Sequence, residues 1–314
     1  MNHILKVVSK LSFLSILLLA VASVFAQKAA SFRSITVVTE PKAAVWIDGV
    51  LYGKTGDSGS LTIKTVAAGA HTIRIRADGF KQREQPLTAI QKGTIKFPLV
   101  RTTDEADLAF QEAVRLTASD RDKAAEAFEK AIKLRPNYPE AYLELARVDA
   151  DLGDFEGALK AVNSARKLRP NYAEASAVLG RIYKDSGEDE SKSVAAFKRA
   201  ILEGKGFQPE ANAGLGLLYK EKAEGLGGSG DFESERLDYA ESAKYLKAAA
   251  KQLSGAPDAA VILQLLGLAY ERQKKLPEAI AAYEEFLRLF PDNNESSAVR
   301  SFIVQLKKDA ETQP

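Results

Sequence analysis

The sequence predicts a two-domain protein in which a small antiparallel β-sandwich precedes an α-helical repeat solenoid. Between residues 34 and 101, apolar and polar residues alternate with a period of two, and turn-forming glycines separate the runs. From residue 102 onwards the apolar period becomes 3.6, alanine is frequent and prolines recur 34 residues apart. We therefore expect an all-β domain followed by an all-α domain, with the boundary near Arg101.

The first 26 residues have the composition of a secretory signal peptide. Lys6 and Lys10 precede an apolar run, and Val24 and Ala26 place small residues at a cleavage site. The alternative is a retained anchor, although residues 11–26 are fewer than the ~20 that span a bilayer. We expect an exported protein, periplasmic or extracellular at the cell surface, that does not span the membrane after cleavage.

Charge divides the chain at the same boundary. Residues 27–101 hold 12 Lys/Arg and 5 Asp/Glu, whereas residues 102–314 hold 30 and 37. The chain has no cysteine, which excludes disulfides and thiolate chemistry. An exported protein whose charges nearly balance is not expected to bind nucleic acid.

The β-domain, residues 34–101, is predicted to hold five or six short strands. Val45 and Ile47 should face its core, Trp46 should lie on the opposite face, and Asp48 with Gly49 should form a hairpin turn. The order of these residues resembles the PEGA domain. EPKAA at 40–44 precedes them, and GKT at 53–55 and GAH at 69–71 follow. The resemblance implies a small β-module of bacterial envelope and surface proteins, although PKAA keeps only the first and last positions of the name-giving motif.

The helical region resembles a tetratricopeptide repeat (TPR) array. Pro136 and Pro170 are separated by 34 residues, as are Pro257 and Pro291. Repeats are expected at 105–138, 139–172, 173–207, 209–256 and 260–293, within a solenoid at 105–293, with a capping helix at 294–310. Gln111 stands where the repeat usually has an apolar residue, which is typical of a terminal unit.

An insertion at 221–238 interrupts the fourth repeat. It contains GLGGSG at 225–230, which spells a dinucleotide-binding pattern but follows a helix instead of a strand. We interpret these residues as a flexible linker. No cofactor site is therefore predicted there.

The resemblance to TPR proteins implies a concave, partner-binding groove formed by the first helix of each repeat. The residues at the groove positions of the repeat pattern are Glu144, Arg147, Asp151, Arg181, Lys184, Asp185, Lys220 and Arg272. Arg147 and Arg181 occupy equivalent positions in successive repeats and could grip a carboxylate of a peptide. The alternative is that both arginines pair with nearby acids and merely solvate the groove.

A second candidate surface lies on the β-domain and comprises Trp46, Tyr52, Arg74 and Arg76. Its basic face could meet an anionic cell-envelope polymer or the acidic solenoid of the same chain. Trp46 itself either covers that solenoid or contacts a partner.

The sequence supplies no catalytic constellation. His71 is the one histidine after the signal peptide, and no G-x-S-x-G motif accompanies it. We expect no enzyme, metal or cofactor, but a non-enzymatic adaptor that binds a protein or peptide in its groove and docks its β-domain on the envelope or a complex. The alternative function is a cell-wall carbohydrate-binding module in which Trp46 and Tyr52 form a stacking platform and the repeats act as a scaffold.

Overall fold

The computed structural model describes residues 32–187 and 189–312, so the signal peptide predicted at 1–26 lies outside the described residues. The β-domain contains β1 (Phe32–Val38), β2 (Ala44–Ile47), β3 (Val50–Lys54), β4 (Ser60–Ala67), β5 (His71–Arg76), β6 (Arg83–Leu87) and β7 (Gly93–Lys96). One sheet has the order β4-β1-β7, and the other has the order β3-β2-β5-β6.

The two sheets share one apolar core. Ile35 of β1 and Ile75 of β5 are fully buried in the same cluster, because alternate residues of each strand point inwards. One strand pair departs from the antiparallel expectation, since β1 and β7 run parallel with Ile35 opposite Gly93. The chain crosses from β6 in one sheet to β7 in the other, so no hairpin forces these two strands to be antiparallel.

The β2–β3 hairpin turns at Asp48 and Gly49, whose φ angles are 50° and 82°. Positive φ at both central residues of a two-residue turn defines type I′, which matches the twist of the flanking strands. The turn fixes the register so that Val45 and Ile47 are buried. Trp46 consequently lies on the opposite face of the sheet, as predicted.

Eleven α-helices follow among the described residues. They are α1 (Glu105–Leu116), α2 (Arg121–Leu134), α3 (Pro139–Leu152), α4 (Phe155–Leu168), α5 (Ala173–Ser186), α6 (Glu190–Glu203), α7 (Pro209–Ser229), α8 (Phe232–Leu253), α9 (Ala259–Arg272), α10 (Leu276–Leu289) and α11 (Ser296–Thr312). The first ten pack as five consecutive pairs, and α11 packs against α10. The predicted solenoid fold is confirmed.

Small residues and caps explain how one helix pair forms. Gly153 ends α3 with a φ of 82°, which glycine adopts without a Cβ clash. The Asp154 side chain then accepts a hydrogen bond from the first turn of α4. In the next pair, a Cβ on Gly180 would lie 2.6 Å from the Phe197 ring, so the absence of a side chain on α5 allows α6 to pack closely.

The interpretation of residues 225–230 as a flexible linker is wrong. Helix α7 continues to Ser229 and α8 begins at Phe232, so the inserted residues lengthen both helices and the turn falls at Gly230. A Cβ on Gly227 would lie 2.8 Å from the Glu235 side chain. Gly227 therefore leaves room for the Glu235 side chain of α8, while a Cβ on Gly225 or Gly228 would meet no neighbouring atom within 4 Å.

The β-domain lies against the inner side of the solenoid. Helix α3 contacts α5, and α5 contacts α7, so the first helices of successive repeats form the inner side of the curve. None of the helices in the described residues is both long and apolar enough to cross a membrane.

Candidate partner-binding groove

A cavity of about 1010 Å³ separates the β-domain from the repeats. Strands β2, β3 and β5 form one wall, and helices α3, α5, α7 and α9 contribute to the other. The sequence-predicted residues in its lining are Trp46, Arg74, Arg76, Glu144, Arg147, Arg181, Lys184 and Asp185. The two candidate surfaces predicted from the sequence therefore face each other across one groove, which we call the interdomain groove.

The β-domain wall of the interdomain groove is an aromatic and guanidinium surface. Trp46 lies opposite Arg74 in the strand register. The guanidinium carbons of Arg74 and Arg76 are 4.8 Å and 5.3 Å from the centre of the Trp46 ring. Arg76 also lies over Phe110 of α1 at 4.7 Å, so this face of the sheet reaches the solenoid.

Burial lowers the pKa of Arg76, and the neighbouring Glu144 carboxylate opposes that effect. The Arg76 guanidinium donates to Gln82 Oε1 at 2.9 Å. An acid on α3 thus interacts with a base on β5, as the opposite charges of the two domains predict. The basic face is therefore turned towards the solenoid of the same chain, where Glu144 offsets the charge of Arg76 without forming an ion pair with it.

The solenoid wall is organised by a bidentate ion pair. The Arg147 guanidinium donates to the two oxygens of Glu210 at 2.7 Å and 2.6 Å. Burial lowers the pKa of Arg147, but the Glu210 carboxylate outweighs it and holds that pKa above its usual value. Burial likewise raises the pKa of Glu210, and Arg147 reverses this to hold it below the usual range. Glu210 was not predicted as a site residue.

The other predicted groove residues, except Arg272, also have partners inside the chain. Arg181 pairs with Asp151 at 3.2 Å, and Lys220 pairs with Glu224 at 2.6 Å. Lys184 contacts both Asp185 and Glu221. Arg272 is exposed at the end of α9, away from the cavity lining. Of the two alternatives for Arg147 and Arg181, the geometry supports pairing with acids over gripping a partner's carboxylate.

At one end of the groove the β-domain contacts the loop between α8 and α9. The Tyr52 hydroxyl donates to the Leu253 carbonyl at 3.3 Å, and burial raises the pKa of Tyr52 to about 12. Gly255 has a φ of 80°, and a Cβ there would lie 2.8 Å from Thr65 of β4. Tyr52 therefore serves the domain contact, so Trp46 and Tyr52 do not form the exposed platform that the carbohydrate hypothesis requires.

At the other end, Gln111 of α1 joins the domains. Its Nε2 donates to the Phe80 carbonyl at 2.8 Å, and its Oε1 accepts from the Gly79 amide at 2.7 Å. Gln111 is 7% exposed. Gln111 therefore departs from the repeat pattern because it contacts the β-domain. It does not do so because a terminal repeat lacks a neighbour, as the sequence suggested.

His71 lies beside a smaller cavity of about 420 Å³, which Tyr52 also lines. Its Nδ1 is 2.6 Å from Asp48 Oδ2, and its Nε2 is 2.9 Å from the Ala67 carbonyl. Asp48 also accepts from the Thr72 amide. The ring therefore links the β2–β3 turn, through Nδ1, to the end of β4, through Nε2, an arrangement that serves structure rather than nucleophilic catalysis. No cluster of metal-ligating side chains occurs among the described residues.

The fold and groove define a helical-repeat scaffold joined to a small β-module, and family comparisons identify both parts. Residues 32–102 match the PEGA domain, and residues 115–182 and 233–294 match tetratricopeptide repeats. The chain thus carries a PEGA domain followed by TPR repeats. TPR proteins are typically non-enzymatic scaffolds for protein–protein interaction. A comparison with curated proteins finds no match.

Several solved structures resemble the solenoid. Yeast Tom70 is 17% identical, covering 67% of this chain and 41% of its own, with a TM-score of 0.52. TTC0263, a thermophilic TPR protein of Thermus thermophilus, is 22% identical. The match covers 64% of this chain and 98% of TTC0263, with a TM-score of 0.45. MamA from Desulfovibrio magneticus RS-1 is 18% identical. The match covers 61% of this chain and 98% of MamA, with a TM-score of 0.43. The likeness to Tom70 shows the fold alone.

Proposed function

We propose that this protein is an exported, non-enzymatic adaptor that binds a segment of a protein partner in the interdomain groove. The observation that carries the proposal is the cavity of about 1010 Å³ between the repeats and the Trp46 face of the β-domain. Ligand pockets commonly measure ~300–1,000 Å³. The groove therefore has room for a short peptide segment but not for a folded domain.

Export and envelope attachment belong to the same proposal. The signal-peptide pattern at 1–26 and the PEGA domain support export. Because the Trp46 face is turned towards the solenoid, docking on the envelope would use the opposite sheet, where Lys64 and Lys96 are exposed. Fractionation of the source cells tests export: a processed protein in the periplasm or medium supports it, and an unprocessed cytosolic protein contradicts it.

Partner binding is tested with two matched valine substitutions. Val261 lines the cavity and is 55% exposed, and Val304 on α11 is equally exposed but lies outside the lining. Val261→Glu adds bulk and charge inside the groove, whereas Val304→Glu makes the same change elsewhere. We expect proteins that co-purify from envelope extract to be retained by the wild type and Val304→Glu and lost by Val261→Glu. Identical sets of captured proteins for all three forms would contradict the groove as the binding site.

A further inference from the structure

The charged groups in the interdomain groove are not all compensated. On the solenoid side, Glu210 is paired with Arg147 and Glu140 is paired with Arg169. Glu174 and Asp258 also line the cavity, but both are exposed to solvent, where an unpaired charge costs little. The acids that the groove shields from water therefore already have basic partners.

The two arginines of the β-domain wall differ from these acids. Within the part of the chain that the structure describes, no ion pair involves Arg74 or Arg76, and the groove acids Glu144 and Glu210 pair with Arg147 instead. Arg76 donates only to the neutral Gln82 side chain. Arg74 has no hydrogen-bond partner in those residues, and its Nε is shielded from solvent. Glu144 acts on Arg76 only from beyond ion-pair distance, and Arg74 has no acidic partner among these residues. A half-buried cation without a paired anion is unfavourable, so this wall is complementary to an anionic group.

The surroundings of Arg74 favour a carboxylate on an extended peptide. Trp46 holds the guanidinium by stacking at 4.8 Å, which orients it without using the outer nitrogens of its planar fork. Such a fork binds a carboxylate in a bidentate manner. The rest of the cavity surface is mixed, with apolar groups such as Leu143, Leu217 and Val261 that suit the stem of a peptide side chain.

We propose that the interdomain groove recognises an acidic peptide segment, and that Arg74 and Arg76 on the β-domain, stacked on Trp46, bind its carboxylates. This inference rests on the proposed function and specifies the chemistry of the partner. The PEGA domain then supplies the recognition of charge, while the repeats supply the enclosing wall. The arginines responsible differ from Arg147 and Arg181, which are committed to acids of the solenoid.

Trp46 is the only tryptophan in the chain, so its fluorescence reports directly on this site. We expect an acetylated tetraglutamate peptide to change the emission of the intact mature protein in a saturable manner, and more salt to weaken binding. A tetraglutamine peptide of the same length should give no saturable change. Arg74→Gln should weaken tetraglutamate binding by about tenfold or more, because it removes a charge-assisted hydrogen bond.

Arg83→Gln is the matched control, because Arg83 lies on the neighbouring strand β6 and is outside the cavity lining. It should bind tetraglutamate as the wild type does, and thermal unfolding of both variants checks that they fold. The proposal is overturned if tetraglutamate gives no saturable response, if tetraglutamine binds equally well, or if a folded Arg74→Gln binds as the wild type does. If partners are still lost by Val261→Glu in that case, the adaptor function stands and only the acidic specificity fails.

Discussion

Gln111 in the first helix of the solenoid donates a hydrogen bond from Nε2 to the carbonyl of Phe80 in the β-domain, at 2.8 Å. Its Oε1 accepts from the adjacent Gly79 amide, so a single side chain satisfies two backbone groups of the other domain. The amide of glutamine is suited to this role because it carries both a donor and an acceptor. This contact joins the first repeat to the β-domain and lies at one of the two ends of the interdomain groove.

Replacing Gln111 with leucine restores the residue type that the repeat pattern expects, yet it should destabilise the protein. The change leaves the Phe80 carbonyl and the Gly79 amide without their partner, at a cost of about 1–3 kcal/mol. Urea denaturation measures the loss. Gln111→Glu keeps an acceptor for the Gly79 amide but buries a carboxylate against the Phe80 carbonyl, so at neutral pH it should destabilise at least as much. A Gln111→Leu protein as stable as the wild type would contradict the role assigned to this contact.

At the opposite end of the groove, Gly255→Ala tests the contact with Thr65. The comparison is Gly153→Ala, because Gly153 has a φ of 82° against 80° for Gly255, but a Cβ on Gly153 would have no neighbouring atom within 4 Å. Both changes impose backbone strain of about 1 kcal/mol. The alanine at 255 additionally clashes with the β-domain, so it should also shift Trp46 fluorescence. Equal effects of both variants on stability and fluorescence would show that the loop does not contact β4.

The Arg147–Glu210 pair should contribute more than the other ion pairs of the groove. The Arg147 and Glu210 side chains are 28% and 30% exposed, whereas Glu221, the partner of Lys184, is 54% exposed. We expect Glu210→Gln to lower the free energy of unfolding at pH 7 by about 1–3 kcal/mol, because a shielded guanidinium loses its anion. Glu221→Gln should cost about 1 kcal/mol or less.

The contribution of Glu210 also has a defined pH dependence. Its pKa in the folded protein lies below the usual value, so its stabilising effect is complete above the unfolded pKa of about 4.3 and is lost as the pH falls below it. The difference between wild type and Glu210→Gln should therefore shrink between about pH 4 and more acidic conditions. A difference that stays constant down to pH 3 would contradict the ion pair.

Ionised Asp149 on α3 should have the opposite effect on stability to Glu210. Burial, with the nearby Asp154 and Glu129 carboxylates, raises the pKa of Asp149 to about 6. The ionised form is thus disfavoured in the folded state, and stability from this group is lost as the pH rises through 6. Because the side chain is half-exposed, Asp149→Asn should stabilise the protein at pH 7 by only about 1–2 kcal/mol.

The stabilisation by Asp149→Asn should become small near pH 4, where the folded carboxyl is protonated and the unfolded one, with a pKa of about 3.9, is about half protonated. Asp151→Asn on the same helix is the control, since Asp151 pairs with Arg181 and its loss should not stabilise. Thermal unfolding at pH 4 and pH 7 measures both variants. Destabilisation by Asp149→Asn at pH 7 would contradict the predicted direction.

The sequence predicted most elements because their signals are local, although the described β-domain has seven strands where five or six were expected. Alternation placed Val45 and Ile47 in the core and Trp46 outside it, and the 34-residue proline spacing identified the helix pairs. The same local reasoning failed for residues 225–230, where glycines that usually mark a linker instead continue α7, and Gly227 packs against Glu235 of α8. That outcome depends on a tertiary contact, which cannot be inferred from the neighbouring residues in the sequence.

The candidate site was predicted only in part, for the same reason. Each surface could be inferred from its own domain, but their opposition required the domain arrangement. Glu210 lies 63 residues from Arg147, and several other acids stand closer in the chain, so the pairing was not visible. One signal was available: Gln111 at an apolar position, together with the opposite charges of the two domains, indicates an intramolecular contact.

The central claim is that the Trp46 face of the β-domain lies in the groove of its own solenoid. Because the chain has no cysteine, Val261→Cys and Val304→Cys each provide a unique position for a nitroxide spin label, and the single Trp46 indole gives one resonance in a nitrogen-labelled sample. Val261 lines the same cavity as Trp46, whereas Val304 does not. The label at 261 should strongly broaden the Trp46 signal, and the label at 304 should broaden it less. Weak and equal broadening from both positions would contradict the arrangement of the two domains.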